Sequence, residues 1–74
     1  MKRLFKKLRR KLDYLDEERI EQVRLAYLYA LEGHKGQKRR TGEPYITHPV
    51  DVACVLAEYK LDHLTIMGAL LHDT

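Results

Sequence analysis

The sequence predicts an all-α fold, and three observations predict it. Apolar residues recur at helical spacing in four segments, helix-starting residues stand at Asp16, Pro49 and Asp62, and turn-forming residues concentrate in one stretch, 34 to 45. With 74 residues the chain has room for one small domain, and a domain of that size buries only about 60% of its unfolded surface. The single cysteine, Cys54, excludes an internal disulfide and fits a reducing cytosol, with a small buried helical thiol as its ordinary role. No run approaches the roughly 20 apolar residues of a membrane-spanning helix. The basic N-terminus lacks the apolar stretch that would make it a secretory signal.

The first segment, MKRLFKKLRRKL, puts Leu4, Phe5, Leu8 and Leu12 in a narrow apolar stripe on a cationic helix. Its seven cations and no acid contrast with a net charge of +3 for the whole chain, so the remainder stands at −4. Residues 1–15 therefore read as a basic amphipathic arm and residues 16–74 as a mildly acidic body of three helices. Three fates are open to such an arm: contact with anionic lipid, contact with RNA phosphates, or docking of its stripe on the body. No aromatic ladder accompanies the charge, so nucleic-acid binding rests on charge alone.

The second helix begins after Asp16 with the acids Glu17 and Glu18, which suit an N-terminal first turn. It continues through Ile20, Val23, Tyr27, Ala30 and Leu31 and is expected to end near Gly33. Residues 34–45, HKGQKRRTGEPY, have loop composition and form the only expected loop. The third helix is expected to take Pro49 as its first residue and His48 as its cap, because a proline ring disfavours helical backbone in the residue before it. It runs to about Lys60 and reads as mostly buried, with Val50, Ala53, Cys54 and Ala57 on one face and Val52, Val55, Leu56 and Tyr59 beside them. Asp62 caps a fourth helix whose Leu64, Met67, Leu70 and Leu71 are expected to pack inward. No Gly, Asn or Pro closes that helix, so the sequence reads as the front of a longer one. Excised from that longer chain, the apolar faces of the last two helices are expected to leave it partly molten, aggregating or self-paired.

The short link between the last two helices folds them back as an antiparallel pair. At about 1.5 Å per residue, roughly 17 Å up and 17 Å back returns His72 and Asp73 to the level of His48. Two imidazoles and a carboxylate form a borderline donor set suited to Mn²⁺, Fe²⁺ or Zn²⁺, with a further position left for another ligand or water. The plain alternative is that each histidine merely caps or decorates a helix end. His63 falls at the far end of the hairpin and reads as a surface residue; His34 reads as a loop residue that orients its neighbours by hydrogen bonding. Lys35, Lys38, Arg39 and Arg40 lie just upstream of the donor set and suggest an anionic substrate, since arginine forks onto phosphate and stacks on bases.

Two blocks, GQKRRTGEPYITHP at 36–49 and LLHD at 70–73, with 23 residues between His48 and His72, resemble the N-terminal hydrolase region of the RelA/SpoT family of alarmone enzymes. The resemblance covers about residues 20–74. It implies the front part of an HD-type helical bundle that binds one Mn²⁺ and removes the 3′-pyrophosphate of guanosine tetra- or pentaphosphate in the cytoplasm. On this likeness His48, His72 and Asp73 occupy metal-ligand positions, Arg39 stacks on guanine, Arg40 is a basic pocket position, and Thr41 to Tyr45, including Gly42, shape the nucleotide pocket. The metal lowers the pKa of water to supply a nucleophile at neutral pH. A Glu-Asp pair that handles this water, a further metal-ligating Asp, a synthetase domain and regulatory regions that contact the ribosome are all expected beyond Thr74. No catalytic carboxylate is therefore assigned within the chain, and residues 1–74 alone are expected to be inactive. Two other functions stay open at this point: a different HD-type metal nucleotide phosphohydrolase, and a non-catalytic helical module whose basic arm contacts RNA, the ribosome or membrane.

Overall fold

The computed structural model describes residues 2–72, with the side chains of residues 2 and 3 outside the description. Four helices follow in order: α1 Lys2–Arg10, α2 Glu17–Gly33, α3 Thr47–Glu58 and α4 His63–Leu71. Among the described residues there is no strand; one isolated antiparallel bridge joins Lys38 to Pro44. No helix is long and apolar enough to cross a membrane among those residues.

The apolar stripe of α1 docks on the body. Leu8 and Leu12 are fully buried, Phe5 nearly so, and the Phe5 ring meets that of Tyr27 at 5.2 Å between centroids. The cations flanking the stripe reach acids of the body: Lys7 to Asp51 at 3.4 Å, Arg9 to Glu17 at 3.3 Å and Lys11 to Glu58 at 2.8 Å. The docked outcome follows from the energetics, since burial stabilises by about 25 cal/mol per Å² of apolar surface while exposed ion pairs contribute about 0–1 kcal/mol each. A turn over residues 11–15, closed by Leu15 N–H donating to the Leu12 carbonyl at 2.9 Å, links α1 to α2 and is a second connector besides the expected loop.

Asp16 caps α2 as its position requires, with extended backbone and a carboxylate that accepts from the Arg19 amide at 2.9 Å. Ile20, Val23, Ala26, Tyr27 and Ala30 form its buried face. Asp62 does the same for α4, accepting from the Thr65 amide at 3.3 Å. α4 packs against both α2 and α3, and the four-residue connector Tyr59 to Asp62 makes α3 and α4 antiparallel neighbours. Lys60 takes a left-handed backbone, φ 57°, in that connector.

Three expectations need correction. α3 starts at Thr47, so His48 lies inside its first turn and is not the cap. Thr47 N–H donates to Pro44 C=O at 3.1 Å and His48 N–H to Tyr45 C=O at 3.0 Å, so the chain is already coiled before the proline arrives. Pro49 breaks no bond there, because the first four amides of a helix have no intrahelical acceptor. α3 also buries one face rather than most of its surface: Pro49, Val50, Ala53, Cys54 and Ala57 are inside, whereas Val55 is exposed and Tyr59 is 76% exposed. In α4 the inward residues are Ile66 and Leu70, with Met67 and Leu71 half-buried, and Leu64 is 64% exposed. The cap at Asp62 fixes the phase; Ile66 and Leu70, four apart, share a face that Leu64, two residues from Ile66, does not.

Candidate metal and nucleotide site

The stretch between α2 and α3 is a compact hairpin. His34 N–H donates to Ala30 C=O at 3.0 Å and closes α2, and Gln37 N–H donates to His34 C=O at 2.9 Å. Tyr45 N–H then donates to Gln37 C=O at 2.9 Å, and Arg39 N–H to Glu43 C=O at 2.7 Å, which draws the two arms together. At the tip, Gly42 N–H donates to Arg39 C=O at 2.9 Å. Gly36 at φ 83° and Gly42 at φ 91° take backbone that residues with a Cβ rarely adopt, and this turn chemistry sets the hairpin.

Arg40, Thr41 and Gly42 are exposed at the tip. Arg39 is drawn back onto α3, with Nη1 donating to Thr47 Oγ1 at 3.3 Å and lying 3.7 Å from the Asp51 carboxylate. Thr47 Oγ1 in turn donates to Pro44 C=O at 2.9 Å. Neither Thr47 nor Asp51 is among the site residues expected from sequence. Their spacing of four, one helical turn after a loop of cations, is the signal that would have found them.

Tyr45 is half-buried between two imidazoles. Its ring centroid lies 4.7 Å from that of His34 and 5.8 Å, edge-on, from that of His48. His34 itself is buried, 5% exposed, and its Nδ1 lies 3.0 Å from Gln37 Oε1. The expectation that His34 orients its loop by hydrogen bonding thus finds its bond. His63, expected at the surface, is half-buried in a shallow groove with Glu18, Arg19 and Gln22.

His48 stands in the first turn of α3 and His72 directly after the last residue of α4, which in an antiparallel pair are the same end. His72 Nδ1 is 2.8 Å from the Ala69 carbonyl. A carbonyl only accepts, so Nδ1 is the donor in this bond, and Nε2 is the ring nitrogen not engaged by Ala69. This is the arrangement a metal-binding imidazole takes. Asp73, the third expected ligand, lies outside the described residues, and among those residues no three His, Cys, Asp or Glu side chains form a metal-binding group. Cys54 is no substitute: it is buried on α3, and burial pushes its thiol pKa up.

The HD domain family model matches residues 26–74. The chain belongs to the HD domain family, in the HD region of the RelA/SpoT proteins. It is 63% identical over 60 residues to the bifunctional (p)ppGpp synthase/hydrolase SpoT of Escherichia coli K12, an alignment covering 81% of this chain and 8% of that protein. It is 56% identical over 57 residues to the guanosine-3′,5′-bis(diphosphate) 3′-pyrophosphohydrolase of Aquifex aeolicus, covering 77% and 8%. With the GTP pyrophosphokinase of Streptomyces coelicolor it shares 47% over 60 residues, covering 81% and 7%. The chain thus spans under a tenth of the length of these relatives.

Proposed function

We propose that this chain is the front of a metal-dependent hydrolase region that removes the 3′-pyrophosphate from guanosine tetra- or pentaphosphate. The observation that carries this reading is the join between hairpin and helix. Arg39, at the nucleotide side, hydrogen-bonds Thr47 in the first turn of α3, and Tyr45 meets the ring of His48 one residue further on. Nucleotide-facing and metal-facing residues are therefore parts of one unit. The names borne by the relatives supply the substrate class.

In this reading His48, His72 and Asp73 hold the ion, and Mn²⁺ is the proposed one. Two imidazole nitrogens and a carboxylate suit a borderline divalent cation, and the bond from His72 Nδ1 to the Ala69 carbonyl leaves Nε2 as the nitrogen of that ring that would meet the ion. When bound, the ion supplies Lewis-acid polarisation and neutralises phosphate charge. Arg39 lays its guanidinium plane against guanine, and Arg40, exposed at the tip, meets phosphate. Thr41 and Gly42 give the tip the narrow backbone needed for close approach, and Tyr45 walls the pocket on the metal side. No residue between 1 and 74 is assigned as the general base. The compartment that goes with this chemistry is the cytoplasm.

The test uses the protein expressed from its full reading frame, incubated with guanosine tetraphosphate, with pyrophosphate release followed chromatographically. Release that requires Mn²⁺, stops with EDTA, and is abolished by His48→Ala and by His72→Ala is expected. Arg39→Ala is expected to raise KM. Cleavage that survives both histidine substitutions overturns the reading, and an intact KM in Arg39→Ala points instead to an HD-type hydrolase of another nucleotide.

A further inference from the structure

We propose that His34 is a positioning residue for the metal: its buried ring holds Tyr45 in the place that orients the His48 imidazole. The inference rests on the metal reading above and names a residue that neither the resemblance nor the geometry of the ligands assigns.

His34 is an unusual side chain to bury. It closes α2, its residue exposure is 5%, and its Nε2 has no hydrogen-bond partner. Its one side-chain bond is Nδ1 donating to Gln37 Oε1 at 3.0 Å, and because an amide oxygen only accepts, the proton is on Nδ1 and the unpartnered Nε2 is a bare lone pair. His34 lines a hollow with Leu31, Pro44 and Ile46 as well as Glu32 and Lys35, and a buried nitrogen with no partner costs free energy that an apolar ring of the same shape would not. What the ring does is therefore sought in its faces. It packs against Tyr45 at 4.7 Å, tilted 40°, and the rings of Tyr45 and His48 meet edge to face at 5.8 Å and 64°.

The row is tied to the backbone at both ends. Gln37, which holds His34 by its side chain, accepts the Tyr45 amide on its carbonyl, so His34, Gln37 and Tyr45 form a closed loop of contacts. His48 then follows in the coil begun by its own amide bond to Tyr45 C=O at 3.0 Å. The imidazole of His48 has two soft side-chain torsions, and the Tyr45 ring is the ring contact the structure gives it. Partners that orient a ligating histidine typically change metal affinity about 10–100-fold when removed, and His34 does this at one remove.

The experiment measures Mn²⁺ binding without substrate, by electron paramagnetic resonance of free Mn²⁺, in the full-length protein and its variants. His34→Ala is expected to raise the dissociation constant about tenfold while leaving the number of sites unchanged. Simple loss of folded protein would do the reverse, lowering the number of sites at constant affinity. His34→Phe keeps a ring against Tyr45 and is expected to restore affinity close to that of the unaltered protein. Tyr45→Leu, which removes the ring that meets His48, is expected to match His34→Ala and decides the matter if that variant does not fold. Unaltered affinity in His34→Ala or in Tyr45→Leu, or a His34→Phe as weak as His34→Ala, overturns the inference. His48→Ala serves as the separate check on the metal reading: if it binds Mn²⁺ as the unaltered protein does, that reading fails, whatever the His34 variants do.

Discussion

Arg39 and Asp51 face one another across 3.7 Å, and the other oxygen of the same carboxylate takes Lys7 at 3.4 Å. One acid on α3 thus receives a cation from the hairpin between α2 and α3 and a cation from α1. Asp51 is half exposed, so each pair is worth only about 0–1 kcal/mol. The consequence is one of placement: the Arg39 guanidinium is held toward α3 before any nucleotide arrives. Asp51→Asn is expected to change KM for guanosine tetraphosphate by up to about fivefold, the equivalent of 1 kcal/mol, with kcat nearly unaltered. Steady-state kinetics check it, and a kcat loss of the size seen on removing a metal ligand would contradict it.

The burial of Leu8 and Leu12 makes α1 part of the core rather than a free appendage. Leu8→Ala removes a fully buried side chain between helices and is expected to cost about 2–5 kcal/mol. Lys6→Ala, on the exposed face, is expected to cost less than about 0.5 kcal/mol. Amide hydrogen exchange over α1 and the facing turns of α2 and α3 distinguishes the two. Equal protection in both variants would show that α1 stands apart from the core.

Much of this architecture is legible in the residues, and the parts that are not have identifiable causes. Asp16 and Asp62 announce their helices because the cap and the first turn are local chemistry. The start of α3 is less legible, since the proline rule speaks for position 49 while two turn bonds from Pro44 and Tyr45 decide for Thr47. Leu64 and Ile66 are both apolar, and only the helix phase, set by the cap, tells which one faces α2 and α3. In the site, His48 and His72 stand out as residue types. The stack of His34 on Tyr45 is a contact across eleven positions through a hairpin, and the sequence carries the hairpin glycines but not the ring geometry.

The capping carboxylates give a pH dependence with a definite sign. A side-chain hydrogen bond from Thr65 holds the Asp62 pKa below its ordinary 3.8, and the Arg19 amide does the same for Asp16. A group whose folded pKa is depressed contributes stability that is fully present above its unfolded pKa and is lost as pH falls through the folded value. Asp16→Asn and Asp62→Asn keep an acceptor at the cap but remove the titration. The double variant is therefore expected to lose less stability than the unaltered protein as pH is lowered below about 4. Thermal melts across that range check it; parallel losses in the two proteins would show that the caps do not drive the acid limb.

Cys54 is 5% exposed in α3, and burial pushes its thiol above the usual value. Only the thiolate attacks alkylating agents, so both access and ionisation oppose reaction. Iodoacetamide at pH 8 is expected to label Cys54 only after denaturant is added, as read by mass spectrometry of the peptide. Rapid labelling of the native protein would place Cys54 on a mobile surface.

Gly42 is where the proposed nucleotide role of the hairpin can be tested through the backbone alone. Its φ of 91° lies where residues with a Cβ are strained, yet a Cβ added there would meet no atom within 4 Å. A substitution thus acts through the backbone alone, and the strain is about 1–3 kcal/mol if the turn is kept. The tip is exposed and closed by two backbone bonds, Gly42 N–H to Arg39 C=O and Arg39 N–H to Glu43 C=O, so the chain relieves the strain by opening that turn and leaving the core untouched. Gly42→Ala is expected to leave the melting temperature within a few degrees of the unaltered protein while raising KM for guanosine tetraphosphate roughly 5- to 150-fold, the range equivalent to that strain. Mn²⁺ affinity, set further along the chain at Tyr45 and His48, is expected to hold. A KM unchanged in Gly42→Ala would mean that the tip of the hairpin does not touch the nucleotide.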